Sequence, residues 1–121
     1  MTVKAILSRK GNAVVTIEAT ATLCDAVKIL DEHKIGAVVI TGADQQVVGI
    51  LSERDIARTL ARNARVVGAC RLCDEPIEQV MTRKVETCTV SDTVHEIMER
   101  MTEGKFRHLP VVEHGRLVGI I

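Results

Sequence analysis

The sequence predicts an α/β fold of the α+β kind, built from tandem βαββα repeats, on three observations. A short apolar run, Val47, Val48, Ile50 and Leu51, has the length of a buried strand, and the chain then switches at Asp55 to helical spacing, with Ile56 and Leu60 four apart. The strand and its glycine nearly recur as Leu117-Val118-Gly119-Ile120-Ile121. In addition, Leu23, Ala26, Val27 and Leu30 match Val94, Ile97, Met98 and Met101 at a constant separation of 71 residues. Ile35 and Phe106 keep that separation, and Gly49 and Gly119 lie 70 apart, one turn residue having been lost. Self-similarity at a fixed spacing means one unit used twice. In a chain of 121 residues neither copy alone buries much surface, so the two are expected to share a core.

Each element has a local reason. Val3-Lys-Ala-Ile-Leu reads as a short lead-in helix, comparable with Ile77-Glu-Gln-Val-Met before the second copy, and Gly11-Asn12 breaks the chain after it. Val14-Val-Thr-Ile is the first strand, mirrored by Val85-Glu-Thr-Cys. Thr22 with Asp25, and Thr93 with Glu96, open the first helix of each copy with a capping box. These matching apolar positions then form one helical face in each copy, with Lys28, Asp31 and Glu32 opposite, and the methionines at 98 and 101 are expected in the core. Ala37 to Thr41 pairs with Val47 to Leu51 in a hairpin, as Leu109 to Val112 does with Leu117 to Ile121. Pro110 cannot donate to a ladder, so its strand is expected at an edge or lining a cleft. Gly68 and the Asp74-Glu75-Pro76 breaker mark a connector, which divides the chain into domains 1–66 and 77–121 with a linker over 67–76.

Composition narrows the function. Sixteen basic and sixteen acidic residues balance, and Phe106 is the only aromatic side chain, so neither the charge nor the stacking platforms of a nucleic-acid binder are present. No run approaches the roughly 20 apolar residues that span a bilayer, and the first residues carry no secretory signal, so a cytoplasmic protein without membrane contact is expected. Cys70-Arg-Leu-Cys73 has the gap of a zinc knuckle or thiol redox motif, but zinc needs a second pair, and Cys24 and Cys88 lie far off inside the repeats. Free thiols are the expectation, with a thiol or zinc protein centred on Cys70 and Cys73 as the alternative, and a purely structural interaction module as another. His33, His95 and His114 have no partner at ligand spacing, and no metal site is expected. No nucleophile with its base, carboxylate couple or Walker-type loop is present, so no catalysis is expected.

Ser52 and Asp55 stand where strand meets helix. Ser52-x-x-Asp55 is itself a capping box, common at any helix start. A helix N-terminus also suits anionic ligand groups, and a carboxylate can accept two hydrogen bonds at once from a cis-diol. Gly36 and Ala37 begin the second strand with small residues, which fit either a slot for a flat ring or, at Gly36, a left-handed helix cap. Arg107 and His108 hold the equivalent places in the other copy.

Both copies resemble CBS domains. The family pattern of strand, helix opening with Thr-hydrophobic, hairpin, and Gly-hydrophobic-hydrophobic-Ser/Thr-x-x-Asp is matched by Thr22-Leu23, Gly36-Ala37-Val38-Val39-Ile40 and Gly49-Ile50-Leu51-Ser52-Glu53-Arg54-Asp55. The second copy matches through Thr93-Val94, Phe106-Arg107-His108-Leu109-Pro110 and Gly119-Ile120-Ile121, after the lead-in Val80-Met81-Thr82. The resemblance implies two small mixed sheets in pseudo-two-fold symmetry and a regulatory module that senses an adenosine nucleotide of the AMP, ATP or NAD type, needing no other cofactor. It implies a ligand between the repeats, with adenine against Val15, Thr16, Ile17, Gly36, Ala37 and Val38, ribose on Ser52 and Asp55, and phosphate near Arg107 and His108, with Pro110 lining the cleft and Lys10 and Arg54 as further cations. A disc-shaped homodimer and a regulated partner protein are implied as well. The sequence stops at Ile121, where the second Ser/Thr-x-x-Asp would follow, so the second copy is expected to lack its ribose-binding pair.

Overall fold

The computed structural model describes residues 1–11, 13–63 and 74–121. Helix α1 spans Val3–Lys10, strand β1 Thr16–Glu18, helix α2 Leu23–His33, strand β2 Ala37–Thr41, strand β3 Val47–Ser52 and helix α3 Glu53–Asn63. A 3-10 turn, Ala43–Gln45, joins β2 to β3, and another, Ile77–Gln79, precedes helix α4 at Val94–Gly104 and the hairpin of β4, Pro110–Glu113, with β5, Arg116–Ile120. The fold is mixed α and β with small sheets, as the sequence predicts.

The chain folds into two compact units that are interleaved in sequence. One comprises Val15–Ala43 and Val47–Val85, the other Met1–Val14, Asp44–Gln46 and Glu86–Ile121. In the first, β2 is central, parallel to β1 and antiparallel to β3. Ala37 lies opposite Ser52 and Val38 opposite Leu51. In the second, β4 and β5 form an antiparallel pair.

Each lead-in packs on the repeat that does not follow it in sequence. Val3 and Lys4 donate backbone hydrogen bonds to the carbonyls of Asp92 and Val90, at 2.9 and 3.0 Å, while Ile77 donates to Ala21 and Leu23 to Glu75, at 2.9 and 2.8 Å. Val3 and Ile77 are both 0% exposed, a burial worth about 1.5–3 kcal/mol each. Leu7 lies over Gly119 of β5, and Met81 lies over Gly49 of β3. A side chain on either glycine would occupy the space of the lead-in residue, which gives a packing reason for the glycine in each copy.

Among the described residues the buried ones form two clusters, one in each unit, where the sequence leads one to expect a single shared core. Leu23, Ala26 and Leu30 of α2 meet Val38, Ile40, Leu51 and Ile77, and Val3 and Leu7 of α1 meet Cys88, Ile97, Leu109 and Val111. Two positions of the anticipated apolar faces are outside these cores. Val27 is 42% exposed and Met98 62%, because each helix buries a stripe narrower than its full apolar face, and Ile29 takes the flank of α2 instead.

Two further expectations change. The anticipated strand at Val85 to Cys88 is reduced to one parallel bridge between Cys88 and Val111. Cys88 N donates to Pro110 O at 3.0 Å and Val112 N donates to Cys88 O at 2.9 Å. The next donor in that alternation would be the backbone N–H at position 110, which proline lacks, so the ladder stops. Arg100 holds the segment from its side chains instead, donating to Thr87 O at 2.7 Å and to Glu86 Oε2 at 3.1 Å. The second lead-in is one 3-10 turn rather than a helix, because Thr82 must already be extended to bridge Ile50.

Candidate ligand-binding site

Strand β3 delivers Ser52 to the first turn of α3, and the two residues of the motif hold each other there. The backbone N–H of Ser52 donates to Asp55 Oδ2 at 2.9 Å, the Ser52 hydroxyl lies 3.2 Å from the same oxygen, and Asp55 N reaches Ser52 Oγ at 3.4 Å. The capping reading of this motif is therefore realised, with the carboxylate at the positive end of the helix. One helical turn on, Thr59 ties its hydroxyl to the Asp55 carbonyl at 2.8 Å.

A third residue completes the group, and local sequence reasoning does not find it. Thr82 Oγ1 donates to Asp55 Oδ1 at 3.0 Å across 27 residues of chain. Its position is fixed by a double backbone bridge to Ile50, with hydrogen bonds of 2.9 and 3.0 Å. The signal available in the sequence is the Val80-Met81-Thr82 lead-in, whose spacing says nothing about which strand it will meet. Ser52 and Asp55 are half-buried, and Thr82 is exposed.

Other candidates of this unit lie on the same sheet or beside it. Gly36 accepts a hydrogen bond from Glu53 N at 3.0 Å, and Ala37 is the register partner of Ser52, so the start of β2 runs beside the start of α3. The left-handed cap is Lys34, with φ 53, rather than Gly36, and Lys105 repeats it in the other copy with φ 57. Val38 is enclosed in the core with 0% of its surface exposed. Thr16 of β1 is exposed, while Ile17 of β1 and Val15 just before it are half-buried against the core. Arg54 is exposed on α3. Two grooves, of about 490 and 420 Å³, run along α2, and the smaller has Gly36 and Glu53 on its wall.

In the second unit, Lys10 Nζ donates to Ile120 O at 2.9 Å, and Ile120 is the register partner of Pro110. The ammonium is thus already engaged at the β4–β5 hairpin. Pro110 is fully buried, His108 is half-buried, and Arg107 is exposed just after the left-handed Lys105.

Cys24 is half-buried and Cys88 is 2% exposed, and both are free thiols. Cys70 and Cys73 lie outside the described residues. Among the described residues no group of three metal-ligating side chains comes together, and no helix is long and apolar enough to cross a membrane.

The model of the CBS domain matches residues 3–62 and 77–121. A CBS-domain containing protein of Agrobacterium tumefaciens is similar in structure with a TM-score of 0.90 and 41% identity, over 100% of this chain and 92% of that one. The CBS domain pair of protein MJ0100, crystallised with 5′-methylthioadenosine and S-adenosyl-L-methionine, gives a TM-score of 0.84 at 30% identity, over 100% and 88% of the two chains. A CBS domain protein of Pyrobaculum aerophilum complexed with AMP gives 0.83 at 28%, over 100% and 86%. Against curated relatives the chain spans less than two thirds of their length, from 18% to 62%. With both repeats matched and solved CBS pairs aligning over its whole length, the chain belongs to the CBS-domain family.

Proposed function

We propose that this chain is a regulatory module that binds an adenosine nucleotide, with Asp55 accepting the ribose hydroxyls, and that it carries out no catalysis. The observation that carries the reading is the Asp55 carboxylate, held half-buried by Ser52 at the start of α3 with Oδ1 directed to an exposed hydroxyl. A carboxylate so placed is a rigid acceptor for a diol. Support comes from relatives of the same fold that were crystallised with AMP or with S-adenosyl-L-methionine and methylthioadenosine, all of which are adenosine compounds.

In this reading Gly36, Ala37 and the strand Val15-Thr16-Ile17 receive the adenine, and Arg107 and His108 supply donors to phosphate, with Lys10 and Arg54 as auxiliary cations. AMP, ATP and NAD are the candidate ligands. The bound state is passed to a regulated protein by a shift of population between conformations, in a cytoplasmic homodimer.

Thermal unfolding against AMP, ATP and NAD tests this. A ligand at about 100 times its dissociation constant stabilises the fold by roughly 2.7 kcal/mol. The wild type is expected to shift with at least one of the three, Asp55→Asn to lose the shift, and Arg107→Ala to weaken AMP while leaving adenosine unchanged. No shift with any nucleotide, or a full shift in Asp55→Asn, overturns the reading.

A further inference from the structure

A carboxylate offers about four acceptor positions. At Asp55, Oδ2 receives two donors, the backbone N–H and the hydroxyl of Ser52, at 2.9 and 3.2 Å, and Oδ1 receives the Thr82 hydroxyl at 3.0 Å. One position on Oδ1 is left for a diol that brings two donors. A ribose can place both hydroxyls on Asp55 only if one resident donor withdraws.

The residents differ in what their withdrawal breaks. Ser52 is tied to the start of α3 on both sides, its backbone N–H fixed on Oδ2 by the chain and its hydroxyl oxygen accepting from Asp55 N at 3.4 Å, so it cannot move off the carboxylate without loosening that cap. Thr82 is held by its own backbone bridge to Ile50, independently of its side chain, and is exposed. Its hydroxyl can turn to water and leave no buried group unpaired.

We infer that Thr82 is an internal competitor for the ribose: its hydroxyl latches Asp55 Oδ1 when no ligand is bound, a vicinal diol displaces it, and the latch sets both affinity and the discrimination between ribose and deoxyribose. The inference rests on the reading of Asp55 as the ribose acceptor. A nucleoside with a single sugar hydroxyl fills the open position without disturbing Thr82, so the latch works against ribonucleotides alone.

The test is calorimetric titration of AMP and 2′-deoxy-AMP into the wild type, Thr82→Val, Thr82→Ser and Asp55→Asn. Valine keeps the branched shape and removes the donor, and serine restores it. Thr82→Val is expected to bind AMP roughly two- to tenfold tighter, the value of one exposed hydrogen bond, with 2′-deoxy-AMP unchanged and Thr82→Ser like the wild type. Equal or weaker AMP binding by Thr82→Val, with Asp55→Asn still impaired, overturns the latch and leaves the ribose reading standing. An equal gain for both nucleotides also overturns it. Undiminished AMP binding by Asp55→Asn, or no binding by the wild type, overturns the ribose reading and the latch together.

Discussion

The thiol of Cys88 is pushed up to about 11, chiefly because burial penalises the thiolate, with Asp92 adding to the shift and Arg100 opposing it. In the unfolded chain the same thiol ionises near its ordinary value of 9.0. A group whose folded value is raised contributes stability that is intact below the unfolded value and is lost as pH climbs toward the folded one. The protein should therefore lose stability between about pH 9 and 11, and Cys88→Ala should lose less over that window in denaturant titrations at several pH values. Identical pH slopes for the two proteins would refute the assignment. At this scale, what was legible in the sequence is what is local. The boxes Thr22–Asp25, Thr93–Glu96 and Ser52–Asp55 each lie three residues apart and form as expected, because one turn of helix brings the partners together. Thr82 meets Asp55 only through the pairing of two distant segments, and no spacing rule announces that.

At the scale of elements, the glycines of β3 and β5 explain why the duplicated strand carries a residue so poor at forming strands. A Cβ on Gly119 would sit 2.9 Å from two atoms of Leu7, a buried core residue, and one on Gly49 would overlap the Met81 thioether. Leu7 is hemmed in by its cluster, whereas methionine is unbranched and only partly buried. Gly119→Ala is expected to cost about 1–3 kcal/mol of unfolding free energy and Gly49→Ala less. Chemical denaturation of both variants checks the order, and a larger loss in Gly49→Ala would refute it. The strand and helix assignments were legible where periodicity was strong, as in α2 and both hairpins. They failed at Val85 to Cys88, where the proline that stops the ladder is 22 residues downstream of Cys88 and its effect is visible only once the pairing is known.

At the scale of the whole molecule, the duplication was legible and the exchange of lead-ins was not. Nothing in Val3-Lys-Ala-Ile-Leu says that it will cover the second repeat, since Ile77-Glu-Gln-Val-Met has the same pattern and either repeat would accept either segment by composition. The structure decides it with Val3 and Leu7 in one core and Ile77 in the other. Deleting residues 1–13 should thus leave Val15–Ala43 and Val47–Val85 largely protected in hydrogen exchange while protection falls at Leu109 to Val111. Loss of protection confined to the first repeat would contradict the exchange.

The same exchange bears on how the protein is made. Helix α1 leaves the ribosome before either repeat, yet the carbonyl of Asp92 that receives the Val3 N–H is translated 89 residues later. At about 5–20 residues per second this is a wait of roughly 5 to 20 s. An eight-residue helix does not persist alone in water, so Val3 and Leu7 spend that interval without the residues they pack against. Until the second repeat emerges, the segment exposes two apolar side chains that the finished fold buries completely or nearly so.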